Sequence, residues 1–209
     1  MIKLFRHLRK DQIMTTSSTK YFKYAIGEIL LVVVGILIAL GINNLNDQKK
    51  TEASVRNNLE RIEKEIISNQ TRINRVFDYH KMVRDSIRTI VLPDNLEDAK
   101  MKMRFWRGHQ IFRLQDAAFQ TAIQSGISQN IDVNLLEKLN SLYSTQTFYN
   151  DLSKSVTQGL YGLDFSTRDG FGRIKNLIAM TMEDVYYLEV ELNEAFEICL
   201  NEISELKNP

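Results

Sequence analysis

Residues 25–42 read AIGEILLVVVGILIALGI, eighteen positions with a single charge, Glu28. No other stretch limits the fold as tightly. At about 1.5 Å per residue such a helix spans about 27 Å, close to the roughly 30 Å hydrocarbon core of a bilayer. The core helix of a soluble domain is seldom apolar on every side over that length. The stretch predicts a transmembrane helix.

The flanks give the expected orientation. Lys3, Arg6, Arg9, Lys10, Lys20 and Lys23 precede the span, with Tyr21, Phe22 and Tyr24 at its edge. The far side opens on Asn43, Asn44 and Asn46 and mixes Lys49 and Lys50 with Asp47 and Glu52. Cytoplasmic flanks carry the excess of Lys and Arg. The expectation is a cytoplasmic (inner) membrane protein with its N-terminus inside and its body periplasmic or otherwise extracytoplasmic. A cleaved signal peptide competes, since Ala39 and Gly41 are small residues at a cleavage-site spacing. Against it, the apolar run exceeds the about 7–15 residues of a signal core, and a long segment precedes it. The expected organisation is a basic tail at 1–24, a transmembrane helix at 25–42 and a helical body at 43–209.

After residue 43 the chain has 21 Lys and Arg against 24 Asp and Glu. A nearly neutral body has no basic face for nucleic acid. Its length suffices for one domain with its own core. Cys199 is the single cysteine, so no intramolecular disulfide can form, and its helical spacing from Phe196, Ile203 and Leu206 predicts a small buried hydrophobe. Two prolines, Pro93 and Pro209, and nine glycines leave few breakers, and long helices follow.

The opening alternates Met1, Ile2, Leu4, Phe5 and Leu8 with Lys3, Arg6, Arg9 and Lys10, as a segment lying on an anionic membrane surface would, or as a plain topology signal. Within the span, Glu28, Val32, Gly35, Ala39 and Ile42 share one stripe, and Gly35 with Ala39 forms a small-x-x-x-small pair that lets two helices approach. Glu28 lies one turn inside the inner edge. It reads either as a partner-binding or ion-coupled carboxylate or as an acid near a helix N-terminus that reaches the headgroups.

Beyond the span, Val55, Leu59, Ile62, Ile66, Asn69, Ile73, Val76, His80, Val83, Ile87 and Ile90 step by four and three. This seam predicts a long helix packed in a bundle or coiled coil, with Asn69 and His80 as buried polar residues that fix its register. Leu92, Pro93, Asp94 and Asn95 are expected to end it. A second helix is expected from Leu96 through Phe105, Trp106 and Phe112 to Leu114, with His109 at a surface or break position after Gly108. Asp116 is expected to cap a short helix closed by Gly126 and Ile127, and Asp132 to cap the next. That helix carries Leu135, Leu139, Leu142, Gln146, Tyr149, Ser153, Val156 and Leu160 at the same steps. Residues 159–172 hold four glycines with Tyr161, Phe165 and Phe171 and are read as a loop. The last helix, about 178–206, presents Met182, Val185, Leu192, Phe196, Cys199, Ile203 and Leu206 on one side and Glu183, Glu191, Glu194, Glu197, Glu202 and Glu205 on much of the rest. The predicted fold class is all-α: a transmembrane helix continuing into a long heptad helix, followed by an antiparallel helical bundle.

Residues 20–44, KYFKYAIGEILLVVVGILIALGINN, with the opening MIKLFRHLR, resemble the amino-terminal signature of an uncharacterised family of bacterial single-pass membrane proteins, a domain of unknown function. Tyr24, Ala25, Ile26, Gly27 and Glu28 match the family's entry to its span, while Gly41 stands where the family carries glutamine. The short helix beginning at Ala118 and ending at Gly126, with Ile127 after it, is similar to one in the family's outer region. The resemblance implies location and architecture, supplies no chemistry, and places Glu28 in a family pattern that favours a partner-binding role.

No serine elbow, phosphate loop or His/Cys metal spacing occurs in the sequence, and glutamate and histidine are not paired at three-residue spacing as di-metal bundles require. No catalytic, cofactor or metal residue is therefore assigned. The function expected is a membrane-anchored helical interaction module, a scaffold, sensor or accessory subunit. Its partners would be the lipid bilayer and a second copy or another membrane protein. The alternatives are a ligand-binding or enzymatic body with a site at residues 161–173, around Tyr161, Phe165 and Arg173, and an ion-coupled subunit using Glu28.

Overall fold

The computed structural model describes the backbone of residues 2–207 and the side chains of residues 22–207. Residues 1–21 of the basic tail lie outside the described side chains. The elements are α1 (Ile2–Ile87), α2 (Leu96–Lys102), α3 (Ala117–Gln124), a 3₁₀ turn (Ile127–Asn130), α4 (Val133–Tyr161) and α5 (Arg168–Lys207). Among the described residues there is no strand, and the fold is all-α as expected. The chain divides into two compact units, residues 1–52 and 53–209.

In the first unit every described residue is exposed, including Leu31 at 74%, Ile36 at 55% and Leu40 at 53%. The helix here is long and apolar enough to cross a membrane. Beyond residue 42, Asn43 Nδ2 donates to Asp47 Oδ2 (3.0 Å) and Gln48 Nε2 to Glu52 Oε1 (3.1 Å).

The second unit is built from the rest of α1 together with α2–α5. Leu59, Ile62, Ile66, Asn69, Ile73, Val76, His80, Val83 and Ile87 are all buried, so the four-three seam of α1 is a true core stripe. On α4 the same steps bury every predicted position except Ser153. On α5 they bury Ile174, Ile178, Met182, Val185, Glu189, Leu192, Phe196, Cys199 and Ile203, whereas Leu206 is 46% exposed. Burial pushes the Cys199 thiol up to about 11, the behaviour of an inert small hydrophobe.

Paired residues fix the helix directions. Lys207 reaches Glu63 (2.7 Å), His80 reaches Glu189 (2.7 Å) and Arg88 pairs with Glu183, so α5 runs antiparallel to α1. Lys138 with Glu202 and Tyr149 with Glu189 make α4 antiparallel to α5. Glu65 with Tyr143 and Asn69 with Gln146 make α4 parallel to α1. Two parallel neighbours need a long return connection, and residues 88–132 provide it.

That connection departs from the sequence expectation. α1 stops at Ile87, before Leu92, because Thr89 turns back and bonds the Ser86 carbonyl through both its amide and its hydroxyl (3.3 and 2.9 Å). Asn95 caps α2 by accepting from the Glu97 and Asp98 amides. The helix then ends at Lys102, well short of Leu114. Gly108 (φ +88°) and Gln110 (φ +43°) take left-handed backbone angles on either side of His109, and a helix cannot pass through them. Residues 106–116 are irregular. Asp132 caps α4 as expected, through the Asn134 and Leu135 amides, and Gly126 (φ +74°) closes α3 before the 3₁₀ turn. α5 begins at Arg168, nearly three turns before its expected start at about 178, so residues 168–172 of the expected loop are helical. Gly170 is needed there, since a Cβ would collide with the Asp164 carbonyl.

Candidate functional site

An irregular segment laid into a bundle must satisfy its backbone donors and acceptors without a ladder. Here buried side chains of α1 and the half-buried Asn150 of α4 do so. Asn69 Oδ1 accepts from the Gln115 amide (2.9 Å) while its Nδ2 donates to the Gln115 carbonyl (2.7 Å) and to Gln146 Oε1 (2.7 Å). Asn150 repeats the motif from α4, accepting from the Leu114 amide (2.9 Å) and donating to the Leu114 carbonyl (3.1 Å). The Tyr79 hydroxyl accepts from the Arg107 amide (2.7 Å) and donates to the Gly108 carbonyl (2.6 Å). The register residues expected from the sequence thus hold a non-helical segment as well as neighbouring helices.

Glu65 closes the far end of the segment. Its Oε2 accepts from the Ala118 amide (2.8 Å), its Oε1 from the Phe119 amide (3.4 Å) and from the Tyr143 hydroxyl (2.8 Å). It therefore caps α3 from another helix. Asp116, in the N-cap position, makes no side-chain cap bond, which corrects the sequence expectation. A carboxylate at a helix N-terminus also meets the positive end of the dipole. Phe119 stacks on Tyr143 with centroids 4.3 Å apart, sealing this end.

The centre of the network is His80. Its Nε2 lies 2.8 Å from the His109 carbonyl and its Nδ1 lies 2.7 Å from Glu189 Oε1, which also receives the Tyr149 hydroxyl at 2.8 Å. His80 and Glu189 are both fully buried. A carbonyl oxygen only accepts, so Nε2 bears a hydrogen, and the Nδ1 to Oε1 approach needs a second one between them. The pair therefore shares one hydrogen between Nδ1 and Oε1, in addition to the one on Nε2. Burial first, and the facing carboxylate second, push the Tyr143 and Tyr149 phenols far above their ordinary value, so both stay hydrogen-bond donors.

His109 completes the layer, half-buried and not at the surface, with Nε2 2.8 Å from Thr157 Oγ1. Burial, and then the neighbouring His80, hold its pKa below the usual value. Glu189 is not among the residues the sequence patterns single out, yet its position was legible. It falls on the α5 stripe in the seven-residue gap between Met182, Val185 and Leu192. Glu65, Tyr79 and Asn150 left no comparable trace, because their partners lie 28–78 residues away.

The remaining expected site residues lie in the first unit. Glu28 is exposed and Val32 is 54% exposed, and nothing lies within 4 Å of a Cβ built on Gly35. Around the glycine-rich loop Tyr161 is 86% exposed, and Arg173 makes an exposed helical pair with Asp169 (3.0 Å). Among the described residues no group of three or more His, Cys, Asp or Glu side chains is placed to hold a metal. The network thus orders an irregular segment against α1 and α4. Comparison of the chain with protein-family models, curated proteins and solved structures finds no match.

Proposed function

We propose that this protein is a membrane-anchored helical interaction module, a scaffold, sensor or accessory subunit without catalytic activity. Residues 25–42 would span a bacterial inner membrane with the basic tail inside and the body outside. The observation that carries the reading is the exposed apolar surface of the first unit, with Leu31, Ile29, Leu37 and Ile42 all above 60% exposed. A surface of that kind needs lipid or a partner to cover it. Glu28, Val32, Gly35 and Ala39 form the stripe through which the span would meet a second copy or another membrane protein. Crosslinking in native membranes tests this: the expected result is a discrete oligomer or a stable neighbour, lost on Gly35→Ile, and a monomer without neighbours would refute it. Protease treatment of spheroplasts tests the orientation, with the body expected to be digested from outside.

Small-ligand binding is the second reading, and one observation favours a place for it. A polar cleft between the irregular segment and α4 is lined by Arg113, Asp116, Thr147, Asn150, Asp151 and Lys154. The loop at residues 161–173, around Tyr161, Phe165 and Arg173, is the other location for the same reading. Thermal stabilisation by polar metabolites, lost on Arg113→Gln, would support it.

A further inference from the structure

Asp116 occupies the N-cap position of α3, and an aspartate there ordinarily turns back onto the first amides of its own helix. Glu65 already holds the Ala118 and Phe119 amides, so the Asp116 carboxylate is released from that task and makes no cap bond. It lines instead the polar cleft between the irregular segment and α4, a space of about 550 Å³. The opposite wall is one side of α4, where Thr147, Asn150, Asp151 and Lys154 recur at helical spacing. Asn150 bonds both backbone groups of Leu114, which fixes the two walls against each other.

The same anchors set the order of charges along the cleft. Asn69 holds Gln115 and Glu65 holds Ala118, so the segment runs antiparallel to α1 and therefore to α4, its parallel neighbour. From Leu114, pinned at Asn150, Arg113 lies one step toward Asp151 and Lys154, and Asp116 lies two steps toward Thr147. One end thus carries two cations and one carboxylate, and the other carries the Asp116 carboxylate alone. The Thr147 hydroxyl donates to the Tyr143 carbonyl (2.9 Å) and keeps its oxygen free to accept. Among the described residues, the side chains of Arg113, Asp116, Asp151 and Lys154 make neither an ion pair nor a hydrogen bond. Arg113, Asp151 and Lys154 are exposed and Asp116 is half-buried, so a solute can reach all four.

We propose that this cleft binds a short zwitterionic peptide, its terminal ammonium against Asp116 and Thr147 and its terminal carboxylate against Arg113 and Lys154. Three residue steps separate Arg113 from Asp116, at most about 11 Å, and an extended tripeptide holds its terminal charges about 10 Å apart. A free amino acid carries both charges on one carbon and meets only one end. The inference rests on the small-ligand reading above and names the ligand class.

The test uses the full chain in detergent micelles, with calorimetry and amide chemical shifts following triglycine, its N-acetylated and C-amidated forms, free glycine and glutarate. Triglycine should bind saturably and shift the amides of Leu114, Gln115 and residues 147–154. Blocking either terminus should weaken binding about tenfold, the factor for one lost charge-assisted hydrogen bond, and free glycine should be weaker by at least as much. Asp116→Asn should weaken triglycine about tenfold while leaving the N-acetylated form unchanged, and Arg113→Gln should do the same for the amidated form. The comparison of free and blocked peptides on the wild-type chain stands even if a variant misfolds. Equal affinity for free and blocked peptides, or for glycine and triglycine, would overturn the inference. Glutarate binding that depends on Arg113, without triglycine binding, would overturn it and leave the small-ligand reading intact. Silence from all five solutes would overturn both at this cleft.

Discussion

The two units of this chain place polarity in opposite ways. In residues 22–45 the apolar side chains face outward and nothing is buried, whereas the body buries Glu65, Asn69, His80, Gln146 and Glu189 at its centre. The first arrangement is favourable only where the surroundings are as apolar as the helix. The second is favourable only because each buried polar side chain has partners fixed by the fold. The contrast separates two questions that hydropathy merges: what surrounds a residue, and what it is bonded to.

The strongest way to break the comparison is to orphan a charge in the body. Glu189→Ala leaves His80 Nδ1 and the Tyr149 hydroxyl buried without their shared partner and opens a cavity, and should cost about 3–5 kcal/mol, read by chemical denaturation. The matching change in the first unit is Leu37→Arg, which puts a charge where the account places lipid. It should cost about 2.5–3.5 kcal/mol of insertion, read as the membrane-integrated fraction after alkaline extraction. A smaller effect comes from Tyr143→Phe, which removes one donor from Glu65 and should cost about 1–2 kcal/mol while leaving the helical circular dichroism unchanged. The smallest is the pH dependence. The folded state holds His109 below its unfolded value of 6.5, so the unfolded chain binds the extra proton first. The stability carried by the neutral ring is present above pH 6.5 and is lost as pH falls toward the folded value, a trend His109→Gln should flatten.

Much of the body was legible in the sequence, because the stripes of α1, α4 and α5 obey one local rule of four-three spacing. The apolar span was legible for the same reason, since eighteen residues suffice to define it. Residues 103–116 were not. Phe105, Trp106, Phe112 and Leu114 are spaced as a helix would space them, yet Gly108 and the side chains of Asn69, Tyr79, His80 and Asn150 supply a cheaper arrangement. Those partners lie 28–46 residues away, beyond any local pattern. The same distance explains the capping of α3. Asp116 is the sequence-adjacent candidate, but Glu65 reaches the Ala118 and Phe119 amides from a neighbouring helix. Glu189 shows that a polar residue on an apolar stripe is worth reading as part of that stripe.

The central claim is that buried side chains do for residues 107–119 what a backbone ladder does elsewhere. Residue-resolved amide exchange at neutral pH tests it directly. The amides of Leu114, Gln115 and Ala118, bonded to Asn150, Asn69 and Glu65, should exchange as slowly as those in the middle of α4. Exchange of those three amides at the rate of an open loop would contradict the account.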